Sequence, residues 1–168
     1  DVLSDPGDVL LVENFGQHVF SGSLESSVFD TGSVSTFYTL SILPQDQPPL
    51  AGNNSVRIQL ASGNDPATTT WNFKGPDGTS GTYYTLSNLN IGNFHDGDRY
   101  FKYKLFLSTE DNSVSPRISD VAVTYTSACV PPGQVSFHGL GNYTDYSLEI
   151  SRPGYTTQII ENISMNSV

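Results

Sequence analysis

Two stretches of this sequence place polar and charged residues at every second position of an apolar pattern. Arg57 and Gln59 alternate with Val56, Ile58 and Leu60. Tyr100, Lys102, Lys104 and Phe106 alternate with Phe101, Tyr103, Leu105 and Leu107. A strand sends successive side chains to opposite faces, so each stretch turns one face to a core and the other outward. If the two strands are neighbours, Arg57, Gln59, Tyr100, Lys102 and Lys104 share one surface. Aromatic rings give sugars an apolar platform, and Arg or Gln supplies hydrogen bonds, so that surface suits a glycan or an anionic polymer. The plainer reading pairs the same cations with acids on an adjacent strand, as most solvated sheets do.

Metal chemistry points to a different place. Asp96 and Asp98 flank Gly97, which puts two carboxylates on one tight loop. Ca²⁺ takes about six to eight oxygens from carboxylates, carbonyls and water, so Asp96 and Asp98 are the candidate ligands if calcium is the cofactor. Asp77 and the run Glu110-Asp111-Asn112 are further acidic clusters. Asp also favours turns through its own side-chain hydrogen bonds, which accounts for these positions without a metal. Cys129 and the histidines His18, His95 and His138 fall in no zinc-ligand spacing. Cys129 is the lone cysteine, so it forms no disulfide within the chain.

Trp71, with Phe73 two residues on, invites a sugar-stacking role. The weight of aromatic residues in core burial favours a core anchor instead. No Gly-Xaa-Ser-Xaa-Gly elbow and no His-Glu-Xaa-Xaa-His pair occurs. No glycine-rich loop follows a strand and opens a helix, as a phosphate site would need. The expectation is a protein that is not an enzyme.

The elements that must position these residues are strands. Besides the two stretches above, Val34, Thr36, Tyr38, Leu40 and Ile42 alternate, as do Val121, Val123 and Tyr125. Turn residues separate them: Gly63-Asn64-Asp65-Pro66, Gly75-Pro76-Asp77-Gly78 and His95-Asp96-Gly97-Asp98. Short strands with regular turns predict an all-β fold, an antiparallel β-sandwich of the jelly-roll kind. The run Cys129-Val130-Pro131-Pro132-Gly133 cannot continue a central strand, which predicts a jelly-roll domain over 1–129 and a small β-module over 130–168.

The chain has 168 residues, 36% hydrophobic and 11% aromatic, enough for a packed core. Seventeen acids against seven bases give a formal net charge of −10, which argues against a nucleic-acid partner. No apolar run approaches the roughly 20 residues of a membrane span, so direct membrane insertion is not expected. The sequence opens on Asp1 rather than Met, which reads as a processed piece of a longer protein that continues at both ends.

Two stretches resemble known families. Val28-Phe29-Asp30-Thr31-Gly32-Ser33, Trp71-Asn72-Phe73-Lys74-Gly75-Pro76-Asp77-Gly78-Thr79, Arg99-Tyr100-Phe101-Lys102-Tyr103-Lys104 and Ser115-Pro116-Arg117-Ile118-Ser119-Asp120-Val121 follow in an order that resembles galactose-binding-like jelly-roll modules of bacterial secreted and surface proteins. Gly133 to Leu140, Tyr146 to Ser151 and Pro153 to Thr157 resemble the later part of a carboxypeptidase regulatory-like repeat, which has a prealbumin-like fold. The pairing is similar to the outer part of prepilin-type and other bacterial cell-surface proteins. That resemblance implies an extracellular, surface or secreted module for assembly, spacing or adhesion. Its implied partners are other copies or subunits of a surface assembly, with glycans as the alternative through carbohydrate binding.

Overall fold

The computed structural model describes residues 7–86, 89–127, 137–140, 145–151 and 156–163. Its regular elements are twelve strands, β1 (Val9–Leu10), β2 (Glu13–Asn14), β3 (Gln17–His18), β4 (Ser21–Glu25), β5 (Phe29–Leu43), β6 (Val56–Gly63), β7 (Asp98–Ser108), β8 (Arg117–Ile118), β9 (Asp120–Ser127), β10 (Phe137–His138), β11 (Tyr146–Ile150) and β12 (Gln158–Ile163). Two three-residue 3₁₀ turns, Pro49–Ala51 and Asn93–His95, are the helical elements among the described residues. The class is all-β and antiparallel, as the alternation predicts. The strand order alone does not identify a jelly roll.

Strand β7 organises the sheet. Its Tyr100 to Leu107 pair with Gly63 to Val56 of β6 along one edge. Its other edge carries two strands end to end: β4 from Ser21↔Ser108 to Glu25↔Lys104, and the start of β5 at Phe29↔Phe101 and Asp30↔Tyr100. Strand β5 keeps one further pair with β7, Ser35↔Asp98, and from Ser35 to Leu43 it pairs with Ser127 to Asp120 of β9. The change of partner falls at an irregularity between Asp30 and Ser35, where Gly32 takes φ 85°, a conformation that favours glycine. The Thr31 hydroxyl stitches this bend, donating to the Arg99 carbonyl at 2.7 Å and accepting from Ser35 Oγ at 2.9 Å.

The core lies on the face of β6 and β7 that carries Val56, Ile58, Leu60, Phe101, Leu105 and Leu107. Tyr84, Phe37, Leu40, Ile42 and Tyr125 join it, and the Phe37 and Phe101 rings stack at 5.2 Å. One departure from the sequence pattern is instructive. A second irregularity, between Phe37 and Thr39, inserts a residue into β5. Alternation therefore changes phase: Leu40 and Ile42 point inward, while Val34 and Tyr38 are exposed and Phe37 takes the core position.

The chain divides into two compact units, Asp1–His138 and Gly139–Val168. Strand β10 belongs to the first, pairing Phe137↔Thr126 and His138↔Tyr125. The second contains the β11–β12 hairpin, with Leu148↔Ile160, Glu149↔Ile159 and Ile150↔Gln158 opposed. The junction expected between residues 129 and 130 lies outside the described residues.

Candidate binding cleft

The register of β6 on β7 brings the outward residues together. Arg57 faces Phe106, Gln59 faces Lys104, Ala61 faces Lys102 and Gly63 faces Tyr100. Strand β4 adds Glu25 opposite Lys104 and Ser23 opposite Phe106. The surface expected from alternation in the two separate strands therefore exists, with its cations on one face.

A loop walls this face. The backbone of Lys74 pairs with Leu60 and that of Tyr84 with Ile58, so the segment 71–84 leaves and rejoins the outer edge of β6. Between these bridges the chain reverses at the expected Gly75-Pro76-Asp77-Gly78 turn, where the Gly78 N–H donates to the Gly75 carbonyl at 3.0 Å. The Asp77 carboxylate accepts from the Thr79 N–H and from the Thr79 and Thr82 hydroxyls. The Thr82 hydroxyl foremost, then the Thr79 donors, hold this carboxyl below its ordinary range. Gly75 is needed here because a Cβ would stand 2.2 Å from the Thr82 backbone.

Gln59 fastens the loop to the sheet. It is 5% exposed, and its Nε2 donates to the carbonyls of Ser80 at 2.8 Å and Thr82 at 2.9 Å. This amide is a structural tie before it is a ligand contact. The Arg57 guanidinium lies over the Tyr83 ring at 4.9 Å, and Tyr83 meets Phe106 edge-on at 5.2 Å. Arg57 Nε is buried without a hydrogen-bond partner.

The two lysines of β7 share one acid. Lys104 Nζ lies 2.9 Å from Glu25 Oε1 and Lys102 Nζ 3.1 Å from Glu25 Oε2. Hydrogen bonds from Lys104, then Lys102, hold the Glu25 carboxyl below the usual carboxylate range. This is the cross-strand pairing that a solvated sheet favours. Lys104 also sits between two rings, 5.8 Å from Phe73 and 5.7 Å from Phe106. Tyr100 stands apart from these groups, under the Arg99 guanidinium at 5.2 Å.

Between loop and sheet is an open cleft of about 490 Å³. Trp71, Asn72, Phe73, Lys74, Gly78 and Ser80 line it from the loop, and Gln59, Lys104 and Phe106 from the sheet. Trp71 is thus not the core anchor its residue type suggests: it is half-buried and lines the cleft. Phe106 was legible as outward-facing from its alternation with Tyr100, Lys102 and Lys104. The roles of Glu25, Ser80, Thr82 and Tyr83 had no signal in the sequence, because they depend on which strand and loop meet across the sheet.

The candidate calcium ligands have other partners. Asp96 Oδ1 accepts the Phe37 N–H at 3.1 Å. Asp98 accepts from the Ser62 hydroxyl at 2.6 Å and from Asn64 Nδ2 at 2.9 Å. No group of three or more His, Cys, Asp or Glu residues that could hold a metal ion occurs among the described residues. Next to Asp98, Ser62 Oγ also contacts Nδ1 of the buried His95 at 2.8 Å. The hydroxyl stands between imidazole and carboxylate, whereas nucleophile activation requires the imidazole in the middle. No protein-family model, no curated protein and no solved structure matches the chain.

Proposed function

We propose that this chain is a non-enzymatic extracellular module of a surface assembly, and that it works by adhesion, holding a carbohydrate in the cleft between the 71–84 loop and the β6–β7 face. The observation that carries the reading is the convergence of Trp71, Phe73 and Phe106 with Asn72, Gln59 and Lys104 around one opening. Sugars offer C–H faces to aromatic rings and hydroxyls to amides and ammonium groups, and this lining supplies both kinds of partner. The resemblance to bacterial surface modules supports an extracellular setting.

Assembly with other copies or subunits is supported by a different region. The β2–β3 hairpin ends on Phe15, fully exposed at φ 54°, and Phe20 and Leu24 are exposed nearby in sequence. Exposed apolar side chains of this size mark contact surfaces when they cluster.

A glycan array tests the carbohydrate reading. The whole chain is expected to bind a defined set of saccharides, with binding lost in Trp71→Ala and Phe73→Ala and kept in Phe15→Ala. Binding that survives both cleft substitutions, or no binding at all, overturns it.

A further inference from the structure

The chain carries a formal net charge of −10 and only seven basic residues. Three of the seven, Arg57, Lys102 and Lys104, stand on the single face that bears the cleft. Among the described residues, one carboxylate answers them: Glu25, which bridges the two lysines. Lys74 in the cleft lining makes four cations, and Glu25 with Asp77 of the walling loop makes two carboxylates, which leaves this region cationic in an acidic protein.

Of the three cations on the sheet face, Arg57 is the one that Glu25 does not reach. Its guanidinium packs on the Tyr83 ring, and its Nε is shut away from water with no hydrogen-bond partner. Nε itself is out of a ligand's reach, but a half-buried guanidinium with no carboxylate beside it among the described residues favours an anion brought to its terminal amino groups. Arg57 faces Phe106, and Lys104 lies two residues from Phe106 on the same face. The Cβ atoms of such diagonal neighbours lie within about 7–8 Å, which places Arg57 beside the cleft lining rather than in it, next to the Lys104 and Phe106 that do line it.

Resting on the carbohydrate reading above, we propose that the saccharide is an acidic one. Its carboxylate or sulfate takes the place of Glu25 on Lys104 and reaches Arg57, while Trp71 and Phe73 hold the sugar ring. Glu25 is then an internal competitor: it keeps the lysines paired when the cleft is empty and is displaced when ligand binds. The exchange needs little reorganisation, because the Glu25–lysine pairs are solvent-exposed and individually weak.

Calorimetric titration of the whole chain with three probes of equal length tests this: an oligogalacturonide, a sulfated galacto-oligosaccharide and the neutral galacto-oligosaccharide. At least one acidic probe is expected to bind about tenfold or more tightly than the neutral one. Arg57→Gln should erase that preference. Glu25→Gln should strengthen acidic binding several-fold and leave neutral binding unchanged. It also keeps the test available if Arg57→Gln fails to fold, since Glu25 is exposed. Preference for the uronate alone identifies a carboxylate ligand, for the sulfated probe alone a sulfate ligand, and for both a site that reads charge. A neutral probe that binds as tightly as both acidic ones overturns the acidic assignment and leaves the carbohydrate reading intact. Failure of all three probes, together with an empty glycan array, removes the carbohydrate reading itself.

Discussion

The Ser62 hydroxyl lies 2.8 Å from Nδ1 of His95 and gives its hydrogen to Asp98 Oδ2 at 2.6 Å. Ser62 has one proton to donate, so the Nδ1 hydrogen belongs to His95 and Nε2 is left as a bare acceptor. That Nε2 is buried and has no partner. Burial, and then the charge of Lys74, push the imidazole pKa down to about 4.

Acid therefore acts on the fold through this ring. Above the ordinary histidine pKa of about 6.5, both folded and unfolded chains hold it neutral. As the pH falls from there to about 4, the unfolded chain takes up a proton that the folded chain refuses, and stability falls. The expected loss is on the order of 3 kcal/mol at full titration. Asp30 is held down to about 2 by its Arg99 pair, so its contribution disappears only at lower pH. Urea unfolding at pH 7 and pH 5 should show the drop, and His95→Gln should flatten it. An unchanged slope in His95→Gln would place the acid sensitivity elsewhere.

The phase change in β5 predicts opposite outcomes for adjacent residues. Phe37 is 3% exposed and stacks on Phe101, whereas Tyr38 is 43% exposed. Phe37→Ala should cost about 3–5 kcal/mol, and Tyr38→Ala less than about 1 kcal/mol. Equal costs in denaturant titrations would mean that strict alternation runs through Tyr38 after all.

Gln59 is expected to matter for stability as much as for binding. Gln59→Leu removes both donors from the Ser80 and Thr82 carbonyls. A loss of about 1–3 kcal/mol should follow, with faster amide exchange across 79–83 as the loop wall loosens. Wild-type exchange in that segment would show that Asp77 holds the loop alone.

Calcium is expected to leave the melting temperature unchanged. An ion bridging Asp96 and Asp98 would compete for carboxylates that already hold the Phe37 N–H, the Ser62 hydroxyl and the Asn64 amide. Thermal melts with millimolar Ca²⁺ and with chelator provide the check. A rise with Ca²⁺ that chelator reverses would restore Asp96 and Asp98 as metal ligands.

Period-2 alternation made the inward faces of β6 and β7 readable, because Val56, Ile58, Leu60, Leu105 and Leu107 follow it without interruption. It failed at Tyr38, where one inserted residue reversed the phase, and no residue type there announces a bulge. The outward cations were readable for the same reason as the core. Their partners were not: Glu25 reaches Lys104 only because β4 lies on β7, a pairing between distant parts of the chain. Trp71 misled because residue type speaks for burial in general. Its actual place is decided by a loop whose path depends on the bridges at Lys74 and Tyr84.

The position of β7 also sets an order of events in time. Among the described residues, the ladders of β4 and β6 are formed with β7 and those of β5 with β7 and β9, beside single bridges from β5 to Asn90 and from β6 to Lys74 and Tyr84. A chain emerging from its N-terminus thus carries three strands whose ladders wait until the region around Asp98 to Ser108 has been made, with only the single bridges to Lys74, Tyr84 and Asn90 available earlier. Such non-local pairing makes folding slow, because long loops must close before their contacts stabilise anything. On the proposed extracellular reading, late closure is an advantage: a chain that stays extended during passage through a membrane assembles its sheet on the far side.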